Sequence, residues 1–191
     1  MKSNNKIKEL LKCSLGYMKC KWNKIYCKGN CFVGLHVKIT NLGVSQFGNG
    51  VTIRSYSFLS VNPSASLRIG ANSEIGGYSV IASHFNIVIE DGVLTGPHVF
   101  IADYNHEYRN PQIPVYLQGE MAPKDSHVFI GRGSWIGTNV VIVGKVHIGR
   151  QCVIGANSVV TKDIPDYCVA AGIPCRIIRR YDFNKSEWVK V

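Results

Sequence analysis

Along the C-terminal half of the chain an aliphatic residue returns at every sixth position: Ile130, Ile136, Ile142, Ile148, Ile154 and Val160. Four of these are followed by glycine, at Gly131, Gly137, Gly149 and Gly155. Four residues after each aliphatic comes a small or branched side chain: Ser134, Val140, Val146, Cys152, Ser158 and Ile164. The frame runs earlier in shifted phases, through Ile69, Ile75 and Ile81, then Ile89, Thr95 and Ile101, with a weaker stretch at Ile53, Leu59 and Ala65. The slips predict turns lengthened by a residue or two. An α-helix rotates through about 600° in six residues, which would smear these aliphatics around its surface. A short strand with an inward aliphatic, closed by a corner that glycine makes accessible, fits the period. Three such units close one coil, and stacked coils build a parallel β-helix. The repeat covers roughly residues 33 to 165, with one interruption.

A solenoid has two ends to cover. Residues 5 to 26 read as a basic amphipathic helix carrying Leu10, Leu11, Leu15, Met18, Trp22 and Ile25. It is expected to cap the first coil; eight lysines before residue 30 also suit contact with a membrane surface. Cys13, Cys20 and Cys27 recur at seven-residue spacing and are expected to share a buried face. After Pro174, the run Arg176 to Tyr181 and a polar tail with Trp188 predict a short strand and helix over the last coil. The chain thus divides into an N-terminal segment (1–31), a β-helix (32–167) with an excursion at about 102–129, and a cap (168–191).

The composition agrees with one packed domain: 191 residues, 46% hydrophobic and only 18% charged. The net charge of +10 favours an anionic partner without choosing among nucleic acid, acidic lipid and a polyphosphate ligand. Seven cysteines, an odd number with no Cys-x-x-Cys pair, argue against a disulfide framework or zinc ribbon and fit reduced thiols in a cytoplasm. No secretory signal pattern and no long apolar run is seen.

The frame breaks between Ile101 and Ile130. Long excursions from a regular scaffold carry an ordering cost and are usually functional. This one opens with Asp103, Tyr104, Asn105, His106, Glu107, Tyr108 and Arg109. The run Asp103-x-Asn105-His106 resembles a segment of sugar and polysaccharide O-acetyltransferases of the hexapeptide-repeat, left-handed β-helix family. So do Ser134 to Gly137, Ile154 to Pro165 and Val169 to Arg176, while the tail Tyr181 to Trp188 is similar to the lipopolysaccharide-biosynthesis members. The left hand of the coil comes from this resemblance.

The resemblance implies direct transfer of an acetyl group from acetyl-CoA to a sugar hydroxyl. Histidine titrates near neutrality and can take the hydroxyl proton, so His106 is the expected general base. Glu107 and Asp103 are both candidates to fix its tautomer. Asn105, His84 and Asn86 are expected near the acceptor. Trp135, Thr138 and Ala156 are expected along the pantetheine arm of CoA. Thr161, Lys162, Arg176 and Arg179 are expected at its phosphate and adenine end, with Arg176 and Arg179 on one face of a helical cap. The family is usually homotrimeric, which implies a site between subunits.

Rival readings are weaker. A γ-class carbonic anhydrase on this fold would need three histidines on one zinc. His36, His84, His98, His106, His127 and His147 lack the closely spaced pair such enzymes carry, so no metal is expected. A non-catalytic solenoid leaves the polar loop at 102–109 and the Thr161-Lys162 pair without a purpose. An acyl-carrier protein could replace CoA as donor, since a basic surface suits either. No nucleic-acid module is recognisable.

Overall fold

The computed structural model describes residues 15–123 and 125–191, so Leu10, Leu11 and Cys13 lie outside the described residues. Parallel pairing stacks the strands into three faces of a prism. The first face runs Ile25–Cys27, Val44–Phe47, Ser66–Ile69, Asn86–Ile89, Val128–Ile130 and Val146–Ile148. The second starts at Phe32–Val33 and continues through Leu94–Thr95, Trp135–Ile136 and Val153–Ile154 to Cys168–Ala171. The third holds Lys38–Asn41, Phe58–Val61, Val80–Ser83, Phe100–Ala102, Val141–Val143 and Val159–Val160. The chain is a parallel β-helix, as the six-residue period requires.

The aliphatics of the frame form its core. Ile130, Ile136, Ile142, Ile148 and Val160 are each 0% exposed, and the earlier phases through Ile53, Ile75 and Ile101 are equally buried. The small residue four positions on serves the corners. Ser134 Oγ donates to the Gly149 carbonyl at 2.9 Å and accepts from the Cys152 N–H at 3.0 Å, so it satisfies backbone groups of the next coil. Cβ atoms have no room at some corners: one built on Gly76 would lie 2.1 Å from the Gly96 carbonyl oxygen. At the edge between the second and third faces, His36, Tyr56, Tyr78 and His98 adopt positive φ and stack ring on ring, with centroids 4.9 to 5.1 Å apart. Stacking offsets the backbone cost of that conformation.

The phase slips have one location. Val128 lies opposite Val146, eighteen residues on, whereas Leu67 lies opposite Ile87, twenty on, and Ser45 opposite Leu67, twenty-two on. The extra residues fall between the third and first faces, at 62–65 and 84–85. The long excursion leaves from that same edge, between Phe100–Ala102 and Val128–Ile130.

Both ends depart from the expected caps. Helix covers residues 15–22 and stops before 26, because Lys24 turns to φ 54° and Ile25 enters the first strand. The backbones approach so closely that a Cβ on Gly16 would lie 2.3 Å from the Cys31 carbonyl oxygen. Cys20 is buried, but Trp22 is 87% exposed, with Leu15 and Met18 also open to solvent. Cys27 sits on the first strand, so the seven-residue spacing is not a helical face. At the other end no helix forms. Arg176–Asp182 pairs antiparallel with Cys168–Ala171 and then with Glu187–Lys190. A hairpin occupies the hydrogen-bonding edge of the last strand, which a helix would leave open. Arg176 and Arg179 therefore share no helix face; they lie on one strand, on either side of a register shift. Among the described residues no helix is long and apolar enough to cross a membrane.

Candidate functional site

The excursion is pinned at its root by Asp103, which is 0% exposed. One carboxylate oxygen accepts the His84 N–H at 2.8 Å, and the other accepts the Phe85 N–H at 3.0 Å and the Ser83 hydroxyl at 3.2 Å. The Asp103 carbonyl accepts the Ser126 hydroxyl at 2.5 Å, so the outgoing and returning limbs are tied together. The lengthened corner at 84–85 supplies the N–H groups that a shorter corner would direct into the ladder. Beyond Asp103, the strand Asn105–His106 pairs antiparallel with Glu120–Met121, with His106 opposite Glu120. The tip carries a one-turn helix, Val115–Gln118, closed by Gln118 donating to the carbonyls of Asn110 and Ile113.

Four side chains cluster on this platform. His106 is exposed, and its ring meets the Tyr104 ring edge-on, 5.9 Å between centroids at 84°. Tyr104 stacks flat on His84, 3.5 Å away at 6°. His84 Nδ1 lies 2.6 Å from a Glu120 carboxylate oxygen. That nitrogen is buried and has no in-line hydrogen bond, so the carboxylate is its electrostatic partner. Burial first, then the charges of Glu120 and Asp103, push the Tyr104 phenol upward, which keeps it protonated.

The expected orienting carboxylates are engaged elsewhere in this chain. Asp103 holds the corner, as above. Glu107 takes a bidentate contact from Arg109, whose guanidinium holds the carboxyl down at about 2. The sequence offered no signal for Glu120, a lone glutamate fourteen residues beyond His106 and brought back only by the strand pairing. Asn105, Glu107, Arg109 and Glu120 line a cavity of about 520 Å³ with Met121 and Gly144. Asn86 is not part of it. Its amide oxygen accepts the Ser66 hydroxyl at 2.8 Å, and it borders a separate depression with Phe85, Asp125 and His127.

The residues expected to meet CoA divide between two edges. Thr138 and Ala156 stack on successive coils at the edge of the second and third faces, where the Asn157 N–H donates to the Thr138 carbonyl at 2.9 Å. Trp135 is half-exposed on the second face, and pairing carries its row through Val153 and Val169 to Arg179. Thr161 and Lys162 are exposed across the third face, on the edge that carries the excursion. Between the two edges the outward side chains are Val141, Val143 and Val159, so a long ligand touching both sets would cross an apolar strip.

Comparison with known proteins agrees with this architecture. Residues 127–162 match the bacterial transferase hexapeptide family (six repeats). The chain is 39% identical over 127 residues to the galactoside O-acetyltransferase of Escherichia coli K12, covering 66% of this chain and 60% of that protein. It is 35% identical over 123 residues to WbbJ of the same strain, provisionally named a lipopolysaccharide biosynthesis O-acetyl transferase, covering 62% of this chain and 63% of WbbJ. The chain thus spans less than two thirds of the length of these relatives. Among solved structures, a maltose O-acetyltransferase from Clostridium difficile 630 superposes with a TM-score of 0.50 at 28% identity, covering 78% of this chain and 69% of that one. The N-acyltransferase AntD from Bacillus cereus, solved with dTDP and 3-hydroxybutyryl-CoA, shares the fold at a TM-score of 0.71 and 22% identity, covering 88% of this chain and 89% of its own.

Proposed function

We propose that this member of the hexapeptide-repeat transferase family is an O-acetyltransferase, moving the acetyl group of acetyl-CoA to a sugar hydroxyl of a bacterial surface polysaccharide or its precursor. The observation that carries the reading is an exposed imidazole, His106, held on a pinned excursion whose neighbouring residues Asn105 and Glu107 line a cavity of about 520 Å³. The relatives named for galactosides, maltose and lipopolysaccharide support a sugar as the acceptor.

His106 accepts the proton of the attacking hydroxyl as its oxygen bonds to the thioester carbonyl. Collapse of the tetrahedral intermediate breaks the carbon–sulfur bond, and the thiolate takes the proton back from His106. Asn105, on the same strand, faces the acceptor. The donor lies along Trp135, Thr138 and Ala156. Thr161, Lys162, Arg176 and Arg179 meet its phosphates, whose charge the net +10 of the chain attracts. Trp135, Thr138, Ala156, Arg176 and Arg179 belong to the second face and its edge with the third, and Thr161 and Lys162 lie across the third face, which suits a site built between copies of a homotrimer, one copy giving the excursion and the next the apolar strip. Reduced thiols fit a cytoplasmic location.

The test is His106→Ala, assayed with acetyl-CoA and a panel of glycosides that includes galactosides and maltose. Turnover is expected to fall by about a hundredfold or more while acetyl-CoA affinity holds. Turnover near wild type in that variant removes His106 as the base.

A further inference from the structure

We propose that Glu120, His84 and Tyr104 form the positioning chain that aims the His106 imidazole; this rests on the reading of His106 as the base. A general base must bring its lone pair within hydrogen-bond reach of the proton it takes. An exposed histidine turning about two side-chain torsions does not hold that aim unaided. The nearby carboxylates do not supply the hold, since Asp103 is committed to the His84 and Phe85 N–H groups and Glu107 to Arg109.

What meets the His106 ring is Tyr104, in the edge-to-face geometry that aromatic pairs prefer, 5.9 Å apart at 84°. Tyr104 cannot easily turn, because its other side lies flat on His84 at 3.5 Å. His84 is fixed at both ends. Its N–H is held by Asp103 at 2.8 Å, and its ring nitrogen Nδ1 sits 2.6 Å from Glu120. Glu120 then closes the loop, for it lies directly opposite His106 in the strand pair. One residue thus faces the base across the strand pair and, through two rings, bears on the direction of its side chain. The titratable groups set around His84 are Glu120, Asp103 and Tyr104, with His106 beyond Tyr104. Glu120, His84 and Tyr104 lie on the excursion's edge, whereas Trp135, Thr138 and Ala156 belong to the second face and its edge with the third.

The test compares Glu120→Gln, Tyr104→Leu and Tyr104→Phe with the wild-type full chain, using acetyl-CoA and a galactoside as the assay pair. Glu120→Gln and Tyr104→Leu are expected to lower kcat about tenfold or more with the KM for acetyl-CoA unchanged. Tyr104→Phe keeps the ring and is expected to stay near wild type. A purely structural role would lower thermal stability and leave kcat per folded protein unchanged. Imidazole ¹⁵N spectra read His106 without any acceptor. Its ring signals should shift and broaden toward those of a freely turning histidine in Glu120→Gln and Tyr104→Leu, and stay put in Tyr104→Phe. Unchanged kcat together with unchanged His106 signals in both disruptive variants overturns the chain. If His106→Ala itself retains turnover, the base assignment falls, and the spectra alone still decide whether Glu120 and Tyr104 hold His106.

Discussion

Asp103 offers the sharpest separation between scaffold and chemistry. Asp103→Ala would strip the acceptor from two backbone N–H groups, those of His84 and Phe85, now bonded at 2.8 and 3.0 Å. The Ser83 hydroxyl loses less, because it also donates to the Ser66 carbonyl at 2.8 Å. Leaving a buried donor without a partner costs about 1 to 3 kcal/mol each, so for two donors Asp103→Ala should lose about 2 to 6 kcal/mol. Asp103→Asn keeps one oxygen acceptor but turns an amide N–H toward the other donor, for a loss of about 1 to 3 kcal/mol. Set against a typical domain stability of about 5 to 15 kcal/mol, either change is large. Urea unfolding followed by tryptophan fluorescence should show a lower midpoint at an unchanged slope. A carboxylate that directly oriented a catalytic histidine would behave in the opposite way, with stability kept and kcat falling by about 10⁴ in the asparagine variant. Asp103→Ala within about 1 kcal/mol of wild type would refute the anchoring argument.

Further outcomes follow from the same geometry. Gly76→Ala drives a methyl to 2.1 Å from the Gly96 carbonyl oxygen and should cost more than about 2 kcal/mol, whereas Gly92→Ala, at φ 67° with nothing near, should cost only about 1 kcal/mol; similar losses in thermal unfolding would count against the close-packed corner. Glu107 has its folded-state pKa depressed to about 2 by Arg109, so the loop contact is fully present above the ordinary carboxyl value near 4.5 and is lost as pH falls through about 2. A carboxyl titration by NMR should show that low midpoint, and Arg109→Ala should return it toward 4.5; an unmoved midpoint would contradict the pairing.

Much of the fold was legible because a solenoid repeats its own constraint. Each aliphatic from Ile130 to Val160 faces the same interior, so the six-residue period survives in one sequence. The slips were legible as lengthened turns, but not that they gather on one edge. That follows only once the coils are stacked. The caps were misread where local pattern met tertiary demand. The helical run past residue 22 gave way to Ile25 completing the first face, and the C-terminal run became a hairpin because an open strand edge needed a partner. At the candidate site, the polar run from Asp103 to Arg109 pointed to the excursion, and His84 lies against it through Tyr104. Asn86, the first strand residue after the corner that holds His84, belongs to another depression. Glu120 carried no motif, because its neighbourhood is made by the return path of the loop.

The central claim is that the chain uses acetyl-CoA as donor, and isothermal titration of the purified protein with acetyl-CoA tests it most directly. The account predicts micromolar binding near one site per chain, retained in His106→Ala and weakened when Lys162 and Arg179 are both replaced by alanine. Absence of binding to the folded wild-type protein would contradict it.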